Sequence, residues 1–301
     1  MYRIGRIVLI FLFCLFGVTA CGPDPDPVET GRLNLYLTDA PLDTEGIVGV
    51  YITIMEIHYH TRANTWEAFE EFEGPVTVNL LDLLRGETKF LGSFEMLPGH
   101  YTQLRFMLDA KELGQGPPTN PGCYIEFDDG STRPLFVPSG SQSGFKGIGP
   151  FSVPLNGVVD VTADFDVRRS IVVAGQSGIY ILKPVIRLVV NDQAGRIVGN
   201  VFNIPEDTGI VIYAYESGDY TEDEAADPVG DEGRFPGAIN SDMVCENNKY
   251  HLDFLAEGMY DLVVTSTIDG VFQEVVGTVE GIAVSAGQTT NHPIDLLELS
   301  P

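Results

Sequence analysis

Glu56, His58 and His60 stand two residues apart, so an extended chain projects all three side chains from one face. One carboxylate and two imidazoles form a donor set suited to zinc or copper. A flat strand holds the outer two about 13 Å apart at their α-carbons, so a shared metal needs a bulge or neighbouring donors. The plainer reading is a polar strand end facing water. A second candidate is the run 216–232, ESGDYTEDEAADPVGDE, with eight carboxylates. Calcium prefers oxygen donors, and Asp219, Asp223, Asp227 and Asp231 offer them, although the D-x-D-x-D-G spacing of a calcium loop is absent. Such a charge run reads first as a mobile, solvated loop. Asp164 and Asp166 alternate with Phe165 and Val167 and share a face with Arg168, which suggests cross-strand acid–arginine pairing. Calcium between these two acids and Asp39 is the sharper alternative. There is no G-x-S-x-G elbow, no H-E-x-x-H pair and no phosphate-cradling glycine loop. No catalytic residue is therefore assigned, an enzyme is not expected, and no cofactor is expected, with calcium as the alternative.

The cysteines carry a different chemistry. Arg3 and Arg6 precede the uncharged apolar run 7–20, IVLIFLFCLFGVTA. This run is shorter than the about 20 residues a helix needs to span a bilayer, and its charged head and small-residue end fit a secretory signal. Val18-Thr19-Ala20-Cys21 resembles a lipobox, which implies cleavage before Cys21 and attachment of lipid to its thiol. Two or more acyl chains give a stable anchor where a single chain binds only marginally. The remaining pair, Cys123 and Cys245, reads either as a disulfide, permitted outside the cytoplasm, or as two separate thiols.

The chain has net charge −26, and −28 once Arg3 and Arg6 leave with residues 1–20. That charge repels phosphate backbones, so nucleic acid is excluded as a partner. A hydrophobic content of 44% indicates that the acids coat a folded core. The partners expected are a membrane, through lipid on Cys21, and envelope proteins or glycans. Gly22 after Cys21 is compatible with outer-membrane delivery in a Gram-negative cell.

These candidates must be positioned by strands. After a proline-rich tether at 21–30, Leu33, Leu35 and Leu37 alternate with polar residues, the period of a half-buried strand. Strands are predicted at 47–60, 75–80, 101–108, 123–128, 158–166, 180–190, 195–202, 209–215, 249–254, 259–267, 271–276 and 278–284. Asp128-Asp129-Gly130 signals a short hairpin, and 80–86 is the best candidate for a short helix. Many short strands with turns between them give an all-β fold of two tandem β-sandwiches, immunoglobulin-like or transthyretin-like. The polar turn 191–195 separates a domain at 31–191 from one at 195–298. Gly99-His-Tyr101 and Gly258-Met-Tyr260 repeat one pattern, a tight turn into a strand with a tyrosine hydroxyl placed to bond backbone.

The blocks 31–41 (GRLNLYLTDAP), 97–105 (LPGHYTQLR), 137–139, 144–146, 164–171 (DFDVRRSI) and 180–187 (YILKPVIR) resemble, in order, the bacterial lipoprotein family known as domain of unknown function 4382. The resemblance covers about 31–190 and implies an exported β-sandwich without a known activity. Residues 195–201 (GRIVGNV), 211–215 (VIYAY), 250–255 and 258–260 are similar to transthyretin-like or carboxypeptidase-regulatory domains, which implies a spacer or binding module. The function expected is non-catalytic: a lipid-anchored envelope protein that binds or builds. The alternatives are a metal-dependent enzyme or metal carrier at Glu56, His58 and His60, and a carbohydrate-binding module using paired tyrosines such as Tyr213 with Tyr215 or Tyr51 with Tyr59.

Overall fold

The computed structural model describes residues 29–40, 46–61, 63–114, 120–138, 144–173, 178–228, 233–245 and 247–299. The signal segment, Cys21, most of the tether and Asp231 lie outside them. Strands dominate, as the alternating leucines and frequent turns predict, and the fold is all-β with sandwich architecture. No helix among the described residues is long and apolar enough to cross a membrane.

The first module places Gly31–Ala40 between two neighbours. Val158–Asp166 runs parallel to it and Lys89–Met96 antiparallel. From Val158–Asp166 the sheet continues through Ile186–Val190, Phe145–Val153, Gly99–Leu108 and Ile47–His60 to the hairpin Cys123–Phe127/Thr132–Phe136. Thirteen described strands form this sheet, which wraps one core containing Leu33, Leu35, Leu37, Ile52, Ile57, Phe94, Phe106 and Phe165. The predicted short helix is a 3₁₀ turn, Leu80–Leu83, capped by the Asn79 side chain on Leu81 N–H. Proline lacks a ladder donor, and the expected strand 180–190 is accordingly two strands, Tyr180–Leu182 and Ile186–Val190, on either side of Pro184.

A 3₁₀ turn, Asn191–Gln193, leads into the second group of strands. Ala194–Phe202 pairs with Lys249–Ala256, Thr289–Asn291 and Ile294–Asp295 in one sheet, and Gly209–Glu216 pairs with Asn240–Met243 and Gly258–Ile268 in the other. Gly258–Ile268 also pairs with Val271–Val284, a single strand with register shifts where the sequence suggested two. Ile197, Ile210, Ile212, Tyr250, Leu252, Leu262 and Val264 fill the space between these sheets.

The repeated glycine–tyrosine pattern does the same work in both modules. Tyr101 donates to Leu97 O at 2.7 Å and Tyr260 to Ala256 O at 2.8 Å, each four residues back, with both rings buried. These bonds pin the turn that opens each strand.

Candidate functional site

Parallel pairing of Gly31–Ala40 with Val158–Asp166 sets Thr38 beside Asp164 and Asp39 beside Phe165. Asp39, Asp164 and Asp166 consequently gather at one end of the sheet, all buried. Each finds its own use. Asp39 Oδ1 accepts from Val167 N–H at 3.0 Å. Asp166 Oδ1 accepts from Arg169 N–H at 3.0 Å, capping the short helix Val167–Ser170, and Oδ2 lies 3.3 Å from Arg168 Nη2. Asp164 Oδ2 meets Arg187 Nη2 at 2.5 Å across the ladder. Burial holds the Asp164 carboxyl above its ordinary range, and Arg187 offsets this in part. The acid–arginine pairing expected from sequence is present, with Arg187 as the partner of Asp164 and Arg168 as that of Asp166.

Arg168 does more than balance Asp166. The helix turn aims it out of the first module, and its guanidinium donates to the carbonyls of Phe235 at 2.8 Å, Ala238 at 3.2 Å and Arg234 at 3.3 Å. Its side chain is 8% exposed, and it lies 5.4 Å above the Tyr213 ring. A planar fork of donors suits such a convergent set of carbonyls, where a lysine would satisfy fewer. The charged cluster is a junction between the modules.

The segment receiving Arg168 corrects an expectation. Over its described residues the acidic insertion is folded onto the outer face of the strand Gly209–Glu216. Val211, Tyr213 and Tyr215 point to that face and pack with Phe235, Ala238 and Val263. Phe235 is fully buried and stacks on Tyr213 at 4.4 Å. Glu224 accepts from Tyr215 O–H at 2.9 Å and Gly237 N–H at 2.7 Å; burial, then the Glu224 carboxylate, pushes the Tyr215 hydroxyl upward. Arg234 pairs with Asp227 at 2.7 Å, donates to Ala225 O and covers the Phe272 ring at 4.1 Å. Hydrophobic cover and a few local partners offset the repulsion that the sequence suggested would leave this segment loose.

The other predicted sites are not assembled in this way. Glu56 Oε2 lies 2.7 Å from His58 Nε2, while His60 packs on Trp66 at 4.9 Å between ring centroids. Asp219, Asp223 and Asp227 are exposed, and Asp231 lies outside the described residues. Among the described residues no group of three or more histidines, cysteines and acids is arranged to hold a metal ion. Cys123 and Cys245 are free thiols, which corrects the disulfide reading. Cys123 is a core residue on a central strand, and burial pushes its thiol up to about 12. Tyr213 and Tyr215 are buried beneath the insertion with Phe235 and Ala238, so they are not exposed sugar platforms. Tyr51 stacks on Tyr124 at 4.6 Å and Tyr59 on Phe69 at 4.9 Å.

A second contact between the modules was not anticipated. Arg85 Nε stands 3.6 Å from Asp242 Oδ1, and its Nη2 donates to Met243 O at 3.3 Å. Nothing in the local sequence marks Arg85, which sits in a turn with positive φ.

The model of the family described as Domain of unknown function (DUF4382) matches residues 30–184, just over half of the 301-residue chain. No curated protein matches in sequence. Among solved structures, GBS52, the minor pilin of Streptococcus agalactiae, is 11% identical with a TM-score of 0.21, over 87% of this chain and 94% of that one. The shaft pilin SpaA of Lactobacillus rhamnosus GG is 9% identical with a TM-score of 0.23, over 90% and 100%. The Bacillus anthracis TIE protein is 12% identical with a TM-score of 0.19; the alignment covers 88% of this chain but about a third, 34%, of that one. Scores at this level carry no function over to this chain.

Proposed function

The chain belongs to the DUF4382 family, and from that premise we propose that it is a lipid-anchored protein of the bacterial cell envelope with a structural or binding role and no catalytic one. The observation carrying this reading is the use made of its buried cluster of charges around Asp39, Asp166 and Arg168. Asp39, Asp166 and Arg168 bond backbone groups within the chain, Asp166 and Arg168 also pair with each other, and Arg168 ties the family module to the one that follows. A reaction centre needs groups poised toward an open site, whereas these are buried and hold two sandwiches together.

On this reading Cys21 carries the lipid, residues 22–30 lift the body from the membrane, and the second module is a transthyretin-like spacer or binding unit with its own core. The outer membrane is the proposed location in a two-membrane cell. Metabolic labelling with a fatty acid, followed by membrane fractionation, tests the anchor. Cys21→Ser should abolish the label and release the chain, because the proposed hydrophobic attachment is gone. A variant that stays with membranes through a high-salt wash sinks the proposal.

A further inference from the structure

The strand Gly31–Ala40 enters the first module between two turns. On one side Met96 pairs with Gly31, so the turn 97–99 starts beside the entry point; on the other, Val158 pairs with Arg32 just after the turn 154–157. Asn156 N–H donates to Thr30 O at 3.0 Å and Arg32 N–H to Gly157 O at 2.9 Å, which fastens the second turn to the incoming chain. A Cβ on Gly31 would collide with Pro154 O, so this close approach requires glycine. The two turns adjoin, because Gly99 pairs with Val153, and the Tyr101 hydroxyl braces the first through Leu97 O.

Leu97, Leu155 and Val158 cap this end, exposed by 55%, 53% and 56%, with Pro154 exposed beside them. A single exposed leucine is ordinary, but large apolar side chains gathered on adjoining turns mark a contact with a protein or a membrane. The segments 97–100 (LPGH) and 153–158 (VPLNGV) hold no aspartate or glutamate, in a chain of net charge −26. Of the charges alongside, Arg32 and Glu95 pair with each other at 3.2 Å, Asp160 accepts from Asn34 at 2.8 Å, and Glu29 belongs to the incoming chain. The second module is held at the opposite end. Arg168 lies just past Asp166, and the strand Val158–Asp166 puts about 26 Å between that junction and the tip.

We propose that this tip seats on the bilayer, with Leu97, Leu155 and Val158 at the boundary between headgroups and acyl chains. The body then stands end-on and carries the second module away from the surface. This rests on the reading of Cys21 as the lipid anchor. The eight steps from Cys21 to Glu29 cover at most about 29 Å when fully extended. A lipid on Cys21 thus confines the tip to the neighbourhood of the bilayer, where contact costs little further freedom. The tether lets the body stand clear of the headgroups, and the tip draws it back onto them. Three side chains are too little apolar surface to hold a free chain, since even one myristoyl group binds only marginally. They orient a chain that lipid already holds.

The test uses the chain's single tryptophan, Trp66. In a Trp66→Phe background, Leu155→Trp reports on the tip and Leu297→Trp serves as comparison. Leu297 is 80% exposed and follows Ile294–Asp295, which pairs with Val201–Phe202 at the end of the second module far from Ala194. Each full-length variant is purified from membranes in detergent and reconstituted into phosphatidylcholine vesicles brominated on the acyl chains. Seated about 5–10 Å deep, the tryptophan at 155 should lose about half its emission relative to matching unbrominated vesicles, and the one at 297 almost none. Leu97→Asp should restore most of the emission at 155 while the chain still floats with the vesicles. In a parallel chain a polyhistidine tag replaces residues 1–20, Cys21→Ser removes the thiol, and nickel-chelating lipid supplies the attachment. Acyl label and flotation of the first chain report on the anchor, and quenching in the second reports on the tip alone. An unlabelled first chain with a quenched second one defeats the anchor reading and supports the tip. The proposal is overturned if, on the nickel-held chain, position 155 is quenched no more than 297, or if Leu97→Asp changes nothing. It is also overturned if emission at 155 shifts without vesicles as protein concentration rises, because a second copy then covers the tip.

Discussion

Replacing Arg168 by alanine removes the contact that joins the two modules most tightly. The guanidinium makes three bonds to carbonyls of the insertion and one to Asp166, and both charged side chains are nearly buried, at 8% and 9% exposure. Breaking a buried pair by deleting one partner costs about 3–5 kcal/mol, because the other charge stays behind unpaired. The stranded carbonyls add to this, while water entering the new space offsets part of it. A net loss of about 4 kcal/mol follows, a large share of a typical stability of about 5–15 kcal/mol. Arg168→Lys keeps the charge but loses the fork, and should cost about half as much. Urea unfolding followed by circular dichroism gives the magnitude, and limited proteolysis of 216–242 gives the place. The alanine variant should be cut in the insertion well before the intact chain. A loss below about 1 kcal/mol, the level of an exposed ion pair, with unchanged proteolysis, would refute the assignment.

Further expectations follow from the same geometry. Tyr101→Phe and Tyr260→Phe each remove one hydrogen bond while keeping the ring, and should each cost about 1 kcal/mol in chemical denaturation; a neutral outcome in both would deny the corners a structural role. Asp164 is an acid pushed upward by burial, so the folded state favours its protonated form. Its stabilising contribution is complete below the unfolded pKa of about 4 and is lost as pH rises through the folded value. Asp164→Asn should therefore flatten the decline in stability above that pH, and an unchanged profile would count against this account. With Cys123 in the core and Cys245 half-exposed, a thiol reagent should label Cys245 in the native protein and Cys123 after unfolding. Mass mapping that finds the two bridged would contradict the free-thiol assignment.

The sequence disclosed the strands where apolar and polar residues alternate cleanly. Ile47–His60 and Val158–Asp166 form over the residues predicted. It was silent at Phe145–Val153, whose Gly147, Gly149 and Pro150 read locally as turn. There the glycines serve close packing, since a Cβ on Gly149 would lie 2.2 Å from Leu188 O. The charged cluster was half legible. Alternation placed Asp164 and Asp166 together, but the approach of Asp39 depends on a parallel pairing across 126 residues that no local pattern reveals. The folded insertion did leave a sign. Residues 210–215 are apolar without a break, the pattern of a strand covered on both faces, and Phe235 in the insertion is the cover. Reading the eight acids alone hid this, because repulsion between exposed charges is weak and screened in water, while burial of one phenylalanine contributes about 1.5–3 kcal/mol.

The central claim is that the family module and its neighbour act as one clasped body on a tether. Small-angle X-ray scattering of the full chain carrying Cys21→Ser addresses it directly, compared with the same chain carrying Arg168→Ala. The intact junction predicts a single compact two-module profile that persists to about 0.5 M salt, since buried contacts are little screened, and a more extended, heterogeneous profile in the Arg168 variant. A broad range of module orientations in the unaltered junction, or identical profiles from the two proteins, would contradict it.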